Sequence, residues 1–394
     1  MTKANMKTIT TTEGLADYCA HAARFPYVTV DTEFLRERTY YSRLCLVQLA
    51  VAGSDDEQDA VLVDPLAEGL SLEPLYELFR NEGVVKVFHA ARQDLEIFYH
   101  DAGIFPRPLF DTQVAAMVAG FGDQAGYETL VRKIARAQVD KSSRFTDWSR
   151  RPLSEAQKTY AIGDVTHLRQ IYEWLKAELE RTGRAPWLEE EMQVLTSPET
   201  YVIRPEEAWK RLKTRTSSGT FLAIARELAR FRESYAQTRN IPRNRVFKDD
   251  ALMELASARP KNLKQLGRSR LLLREARKGD IAEGILAAIR AGLAVPKEEQ
   301  PRPVRNDREK LQVNPALADL LRVLLKARCE QEKVAQKLIA NAADLDALAA
   351  GKRDVPALKG WRARVFGDDA LKLCEGKLAL AARGNRVEAI AVGD

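Results

Sequence analysis

The sequence predicts an α/β domain over residues 1–200, a mixed sheet flanked by helices, followed by two all-α helical bundles at 205–293 and 311–394 with a linker at 294–310 between them. Three observations carry this expectation. Short apolar strands follow one another from Tyr27 to Val63 and then alternate with helical patterns, as in a mixed sheet with helices packed on it. From residue 205 onward the pattern is helical throughout, broken by the proline-rich charged run Val295–Glu309, which reads as an extended linker. Charge divides at nearly the same place: residues 1–200 carry 22 Lys+Arg and 31 Asp+Glu, a net of −9, and residues 201–394 carry 40 and 25, a net of +15. An acidic half beside a basic half suits a catalytic unit whose carboxylates hold cations, tethered to a unit that holds a polyanion; two solvated surfaces of opposite bias are the plainer alternative.

Composition narrows the class. A chain of 394 residues with 45% apolar and 30% charged side chains has material for two or three globular domains. The start, MTKANMKTITTTEG, has no secretory pattern, and no run approaches the ~18 apolar residues of a membrane span. A cytoplasmic protein with no membrane partner is therefore expected. Cys19, Cys45, Cys329 and Cys374 are far apart and form no C-x-x-C pair, and no histidine has a Cys or His partner at ligand spacing. Any metal must be held by oxygen.

Taken in order, a helix is expected at Thr12–Ala23, then strands at Tyr27–Asp31, Leu44–Leu49 and Ala60–Val63, the last closed by Asp64-Pro65. Three strands in quick succession read as an antiparallel meander. Leu75–Phe79 is helical, Val84–Phe88 is a short buried strand, and Ala91–Tyr99 is helical again. Asp111 precedes the apolar helix of FDTQVAAMVAG and reads as its N-cap. Pro152 and Ser154 open a long helix carrying Tyr160 and Asp164 four residues apart on one face. Past residue 205, helices are expected at Phe221–Tyr235, Asp249–Ala258, Leu263–Leu266, Asp280–Leu293, Leu317–Ala335, Asp344–Ala350 and Ala370–Arg383. The two bundles read as a diverged pair, with Leu252, Leu255 and Leu263 opposite Leu345, Leu348 and Leu358.

The chemistry begins at VDTEF. Residues two apart on a strand share a face, so Asp31 and Glu33 stand side by side, where like charges repel unless a cation binds between them. The same Asp-x-Glu spacing at Asp55 and Glu57 lies in the polar run GSDDEQD and reads as a solvated loop. Asp94 follows the carboxyl end of a buried strand, where open α/β sheets build sites, and Asp164 supplies a fourth acid. Four carboxylates suit Mg²⁺ or Mn²⁺, and two such ions ~4 Å apart form the clamp used for in-line displacement at phosphodiesters. Tyr160 is placed to orient the attacking water; a phenol with a pKa of about 10 is a poor base near neutrality. Lys141, Arg144, Trp148, Arg150 and Arg151 mix cations with an aromatic, a combination that suits a nucleic-acid strand, although a solvated basic loop has the same composition. His89 is read as a packed, structural histidine.

These residues resemble the DEDD exonuclease superfamily, and within it the ribonuclease D family. VDTEFLRERTYYSRLCLVQLA is similar to the first motif, KVFHAARQDLEIF to the second, and YAIGDV to the third in its Tyr-x-x-x-Asp form, over residues 8–200. DKSSRFTDWSRRPLSEAQKTYA, leading into the third motif, is also family-like. The two bundles resemble tandem HRDC domains, the second less typical than the first. The resemblance implies an RNase H-like fold and 3′→5′ removal of nucleoside 5′-monophosphates from RNA, with tRNA precursors bearing a free 3′ end as the expected partner and a monomer as the expected state. Carried over by position, it implies Asp31, Glu33, Asp94 and Asp164 as ligands of two divalent ions and Tyr160 as the water-orienting residue, with no departure at these five positions. A DNA 3′→5′ exonuclease and a non-catalytic RNA-binding platform are the alternatives to be separated. Four mutually repelling acids argue against the platform.

Overall fold

The computed structural model describes residues 7–53, 59–139, 143–214, 216–302 and 312–392; Asp55, Glu57, Lys141 and the expected linker's residues 303–310 lie outside the described residues. One six-stranded sheet runs in the order β1-β4-β3-β2-β5-β6, with β1 Thr8–Ile9, β2 Tyr27–Leu35, β3 Arg43–Val51, β4 Ala60–Val63, β5 Val85–Phe88 and β6 Leu109–Asp111. β3 and β4 are antiparallel, whereas β1 with β4, β2 with β5 and β5 with β6 are parallel, so the sheet is mixed as expected. Strands β3 and β4 are almost wholly buried, which is why they read as continuous apolar runs rather than alternating ones. Lys86, buried within the sheet, is satisfied by backbone: its Nζ donates to the carbonyls of Asn81 and Val84, both at 2.7 Å, and of Arg107.

Helices α1 Thr12–Ala22, α2 Glu73–Arg80, α3 Arg92–Ala102, α4 Thr112–Val118, α5 Tyr127–Leu130, α6 Glu155–Arg181 and α7 Ala185–Leu195 accompany the sheet. α6 starts where the sequence says: Ser154 and Gln157 close a capping box. Its buried positions Ala161, Val165, Leu168, Tyr172, Leu175 and Leu179 repeat at three- and four-residue spacing, forming one apolar stripe that faces the sheet side.

The described residues pack as two units. The first joins 7–33 and 45–197 to 312–392; the second joins 198–302 to the segment Phe34–Leu44. Packing therefore groups the chain differently from the expected division at 200, because the loop between β2 and β3 belongs with the helical unit. In that unit, α8 Gly219–Arg239, α9 Arg243–Val246, α10 Asp249–Ala258, α11 Leu263–Leu266 and α12 Gly279–Ala294 enclose a core that includes Leu228, Phe247, Leu252, Leu255 and Ile289.

The first unit's C-terminal part is built from α13 Pro315–Glu332, α14 Gln336–Ile339, α15 Ala342–Ala349, α16 Gly360–Arg362 and α17 Asp368–Cys374, around Trp361 and Phe366. Here the expected helix Ala370–Arg383 is corrected. α17 ends at Cys374, and β7 Leu378–Arg383 pairs antiparallel with β8 Arg386–Ala391. Gly376 at φ 75° stops the helix, and Gly384-Asn385 forms a two-residue hairpin turn with Gly384 at φ 61°. Of the leucines set opposite one another, Leu252, Leu255, Leu345 and Leu348 are all buried, whereas Leu263 is 52% exposed while Leu266 turns inward. Among the described residues, no helix is long and apolar enough to cross a membrane, and all four cysteines are free thiols.

Candidate active site

The parallel pairing of β2 with β5 sets Thr29 beside Val87, so Asp31 falls just past the carboxyl end of β5, where α3 begins. α6 is tied to the same place: the Thr29 hydroxyl lies 2.9 Å from the carbonyl of Val165 and 3.1 Å from that of Ala50. The Tyr127 hydroxyl, donating to the carbonyls of Gly163 at 3.0 Å and Asp164 at 2.8 Å, holds that turn of α6 from the other side. Asp31, Glu33 and Asp164 consequently offer carboxylate oxygens within 4.8 Å of one another. Asp94 stands outside this triad, its Oδ1 taking a hydrogen bond from the Thr32 hydroxyl, although its charge reaches both Asp31 and Glu33.

The electrostatics are those of an uncompensated acidic cluster. Burial, then Asp164, Asp94 and Glu33, hold the Asp31 carboxyl well above the usual range. Burial and the same two aspartates push Glu33 to about 9, against the opposing pull of Arg144. Burial raises Asp94 to about 7 and Asp164 to about 7, opposed by hydrogen bonds from Thr32 and Tyr160 respectively. Holding such a set ionised takes a cation, and donors that are all oxygen suit hard divalent ions. The cluster fits that chemistry.

An open cleft of about 340 Å³ borders the cluster, lined by Asp31, His89, Tyr127, Arg144, Tyr160 and Asp164 among others. The Tyr160 phenol is bonded to Asp164 and held neutral by burial and by the surrounding acids. His89 pairs through Nδ1 with the Thr112 hydroxyl at 3.0 Å, and burial keeps its pKa below the usual value. Asp111, expected as a helix cap, does more than that. It accepts from Gln113 and Val114 at the start of α4 and from Ala90 and Ala91 at the start of α3, the helix that carries Asp94.

The basic stretch is corrected in part. Trp148 is 2% exposed and packs 5.9 Å from the Tyr160 ring, so it supports the site from behind and has no face for a base. Arg151 is a structural clamp: its Nε and Nη2 both donate at 2.6 Å to Asp64, and Nη2 also reaches the carbonyl of Cys45 at 2.6 Å. Arg150 is exposed and pairs with Asp147 at 3.5 Å. Arg144 does reach the cleft, its guanidinium 5.4 Å from the ring of Phe145, which is 92% exposed. Thr32 and Tyr127 were not legible as site residues, since each acts through a partner far away in sequence.

Residues 6–180 match the family model for a 3′–5′ exonuclease, and residues 221–289 match that for the HRDC domain. Over 385 residues the chain is 66% identical to a ribonuclease D of Jannaschia sp. (strain CCS1), covering 98% of this chain and 99% of that one. A ribonuclease D of Nitrobacter hamburgensis is 50% identical over 388 residues, covering 97% and 98%. Among solved structures, Escherichia coli RNase D, described as an exoribonuclease involved in structured RNA processing, superimposes with a TM-score of 0.81 at 29% identity, over 94% of this chain and 99% of that one.

Proposed function

Since the chain belongs to the ribonuclease D family of 3′–5′ exoribonucleases, we propose that it trims the 3′ ends of tRNA precursors and other small structured RNAs, releasing nucleoside 5′-monophosphates with two divalent ions held by Asp31, Glu33, Asp94 and Asp164. The observation that carries the reading is the meeting of Asp31, Glu33 and Asp164 within 4.8 Å of one another at a cleft lined by Asp31, Asp164 and Tyr160, with Tyr160 hydrogen-bonded to Asp164. Mg²⁺ or Mn²⁺, when bound, would lower the pKa of a water and neutralise charge on the leaving oxygen.

The chain's own residues do the rest. The Tyr160 hydroxyl, kept protonated, orients the attacking water by hydrogen bonding and takes no proton from it. Arg144 lines the cleft, where a guanidinium pairs with a phosphate. Water oxygen bonds to phosphorus and its proton passes to solvent, the bond from phosphorus to the 3′ oxygen breaks, and that oxygen takes a proton from solvent, leaving a new 3′ hydroxyl and a nucleoside 5′-monophosphate. The basic half of the chain, at +15, favours a polyanion, and the protein is expected to act as a monomer.

The test is incubation with 5′-labelled single-stranded RNA, matching DNA, 3′-blocked RNA and a 3′-extended tRNA precursor, with Mg²⁺, Mn²⁺ or chelator. Stepwise shortening of unblocked RNA to 5′-monophosphates is expected, abolished by chelator and by Asp31→Ala. Tyr160→Phe should lower the rate roughly 10²-fold with cation affinity intact. Cleavage of the 3′-blocked RNA, or persistence in chelator, would refute the proposal.

A further inference from the structure

β2 runs two residues past Glu33, to Leu35, and from Phe34 to Leu44 the chain packs within the helical unit before rejoining the first unit at Cys45 in β3. Tyr40 is the centre of that packing. Its ring lies against the core formed by α8, α10 and α12. Its hydroxyl donates to Glu233 Oε1 and accepts from Gln237 Nε2 at 3.3 Å, while Gln237 also donates to the carbonyl of Ile203 at 2.8 Å. The backbone N–H groups of Tyr40 and Tyr41 both donate to Asn240 Oδ1, at 3.0 and 2.9 Å.

Glu233, Gln237 and Asn240 are spaced four and three residues apart, so one face of α8 and its C-cap presents all three partners. Asn240 sits in the left-handed region at φ 49°, a conformation asparagine tolerates better than most residues. Glu233 is fully buried, with the Arg243 guanidinium 3.5 Å from its second oxygen. A buried carboxylate is costly unless hydrogen-bonded and paired, and Tyr40 supplies one of its bonds. This is far more than a surface loop needs to remain folded.

We propose that Tyr40 is a positioning residue for the exonuclease reaction: by clamping Phe34–Leu44 onto α8, the helical unit holds the end of β2 and thereby Glu33. The HRDC-type unit then has a task in the chemistry itself, separate from any grip on RNA. The inference rests on the reading of Glu33 as a cation ligand, and the experiment separates the two.

Tyr40→Ala, Tyr40→Phe and Asn240→Gly are compared with Glu33→Gln in the full chain. Asn240→Gly removes the acceptor but keeps the left-handed backbone accessible, and it lies at the exposed end of α8, so it serves even where Tyr40→Ala loosens the core. Measured are kcat and KM on a single-stranded RNA oligonucleotide, the Mn²⁺ concentration for half-maximal rate, and RNA affinity in an Asp31→Asn background. Expected for Tyr40→Ala and Asn240→Gly are a kcat about 10- to 100-fold lower and a raised Mn²⁺ requirement, with RNA affinity unchanged within about twofold and Tyr40→Phe intermediate. Unchanged kcat and Mn²⁺ requirement, or a loss wholly explained by weaker RNA binding, overturns the proposal. Glu33→Gln retaining the ordinary Mn²⁺ response overturns instead the premise about Glu33.

Discussion

On the proposed reading, protons and divalent cations would compete for the same oxygens at this site. Asp31, Glu33, Asp94 and Asp164 all have pKa values raised on folding, to about 9 for Glu33 and about 7 for Asp94 and Asp164, with burial the largest cause. In the unfolded chain such acids release their protons near pH 4. The cation-free fold therefore keeps the stability linked to these protons below about pH 4 and loses it as pH rises through about 7 towards 9. A cation held by the ionised set would reverse the trend. Adding Mn²⁺ should accordingly raise the unfolding temperature more at about pH 8.5 than at about pH 6, and Asp31→Ala should shrink the difference. A thermal-unfolding series would contradict this if the Mn²⁺ shift were equal at the two pH values. Asp31 and Glu33 were legible in the sequence because a two-residue spacing on a strand fixes a shared face. Trp148 and Arg151 were misjudged because composition cannot distinguish a basic loop in solvent from one clamped to Asp64, 87 residues away.

At the scale of elements, the site depends on how helices are started. α3 has no side-chain cap of its own at Ala91, and α4 is capped by Asp111, whose Oδ2 also accepts from Ala91 at 2.8 Å and whose Oδ1 accepts from Ala90 at 3.1 Å. One buried carboxylate thus begins two helices, and Ala90, at φ 58°, turns the chain so that both amides reach it. Asp111→Ala should cost roughly 2–4 kcal/mol, above the ~1 kcal/mol typical of one lost cap, because four N–H groups at the starts of two helices, that of Ala91 buried, lose their acceptor. Chemical denaturation can measure it; a loss of ~1 kcal/mol or less would mean that the α3 amides find another acceptor. The capping role towards α4 was legible from the aspartate before an apolar helix, but the role towards α3 required the β5/β6 register that sets Asp111 beside Phe88. The hairpin at Leu378–Ala391 was missed for a different reason. The run LALAAR has the composition of a helix, and only the Gly-Asn turn signals its return strand.

At the scale of the molecule, the C-terminal part is built into the first unit. Trp361 stacks on Trp187 of α7 with ring centroids 4.5 Å apart and planes 6° from parallel. Arg184 donates to the carbonyls of Val118 at 3.1 Å, Lys333 at 3.2 Å and Glu332, and Ala335 N–H donates to the carbonyl of Met117 at 3.0 Å. Gly120, at φ 89°, lets the chain pass so close that an added Cβ would lie 2.5 Å from the carbonyl oxygen of Lys333. These contacts reach α4 and α7, and α7 in turn supplies Met192, whose sulfur accepts from Asp111 N–H at 3.4 Å, beside the cap of α3. Truncation after residue 302 should therefore lower the unfolding temperature of the catalytic part, expose the Trp187 face and promote aggregation, because it strips a packed surface. Trp361→Ala in the full chain should cost about 3–5 kcal/mol, and Gly120→Ala should destabilise by steric conflict at a separate contact, with Lys333. A truncated chain that unfolds at the temperature of the full one would show that the C-terminal part contributes nothing to the catalytic fold. Co-destabilisation by both substitutions would instead mean that this end of the chain acts as a buttress, leaving the +15 of the basic half to be divided by measuring each part's salt-dependent affinity for RNA.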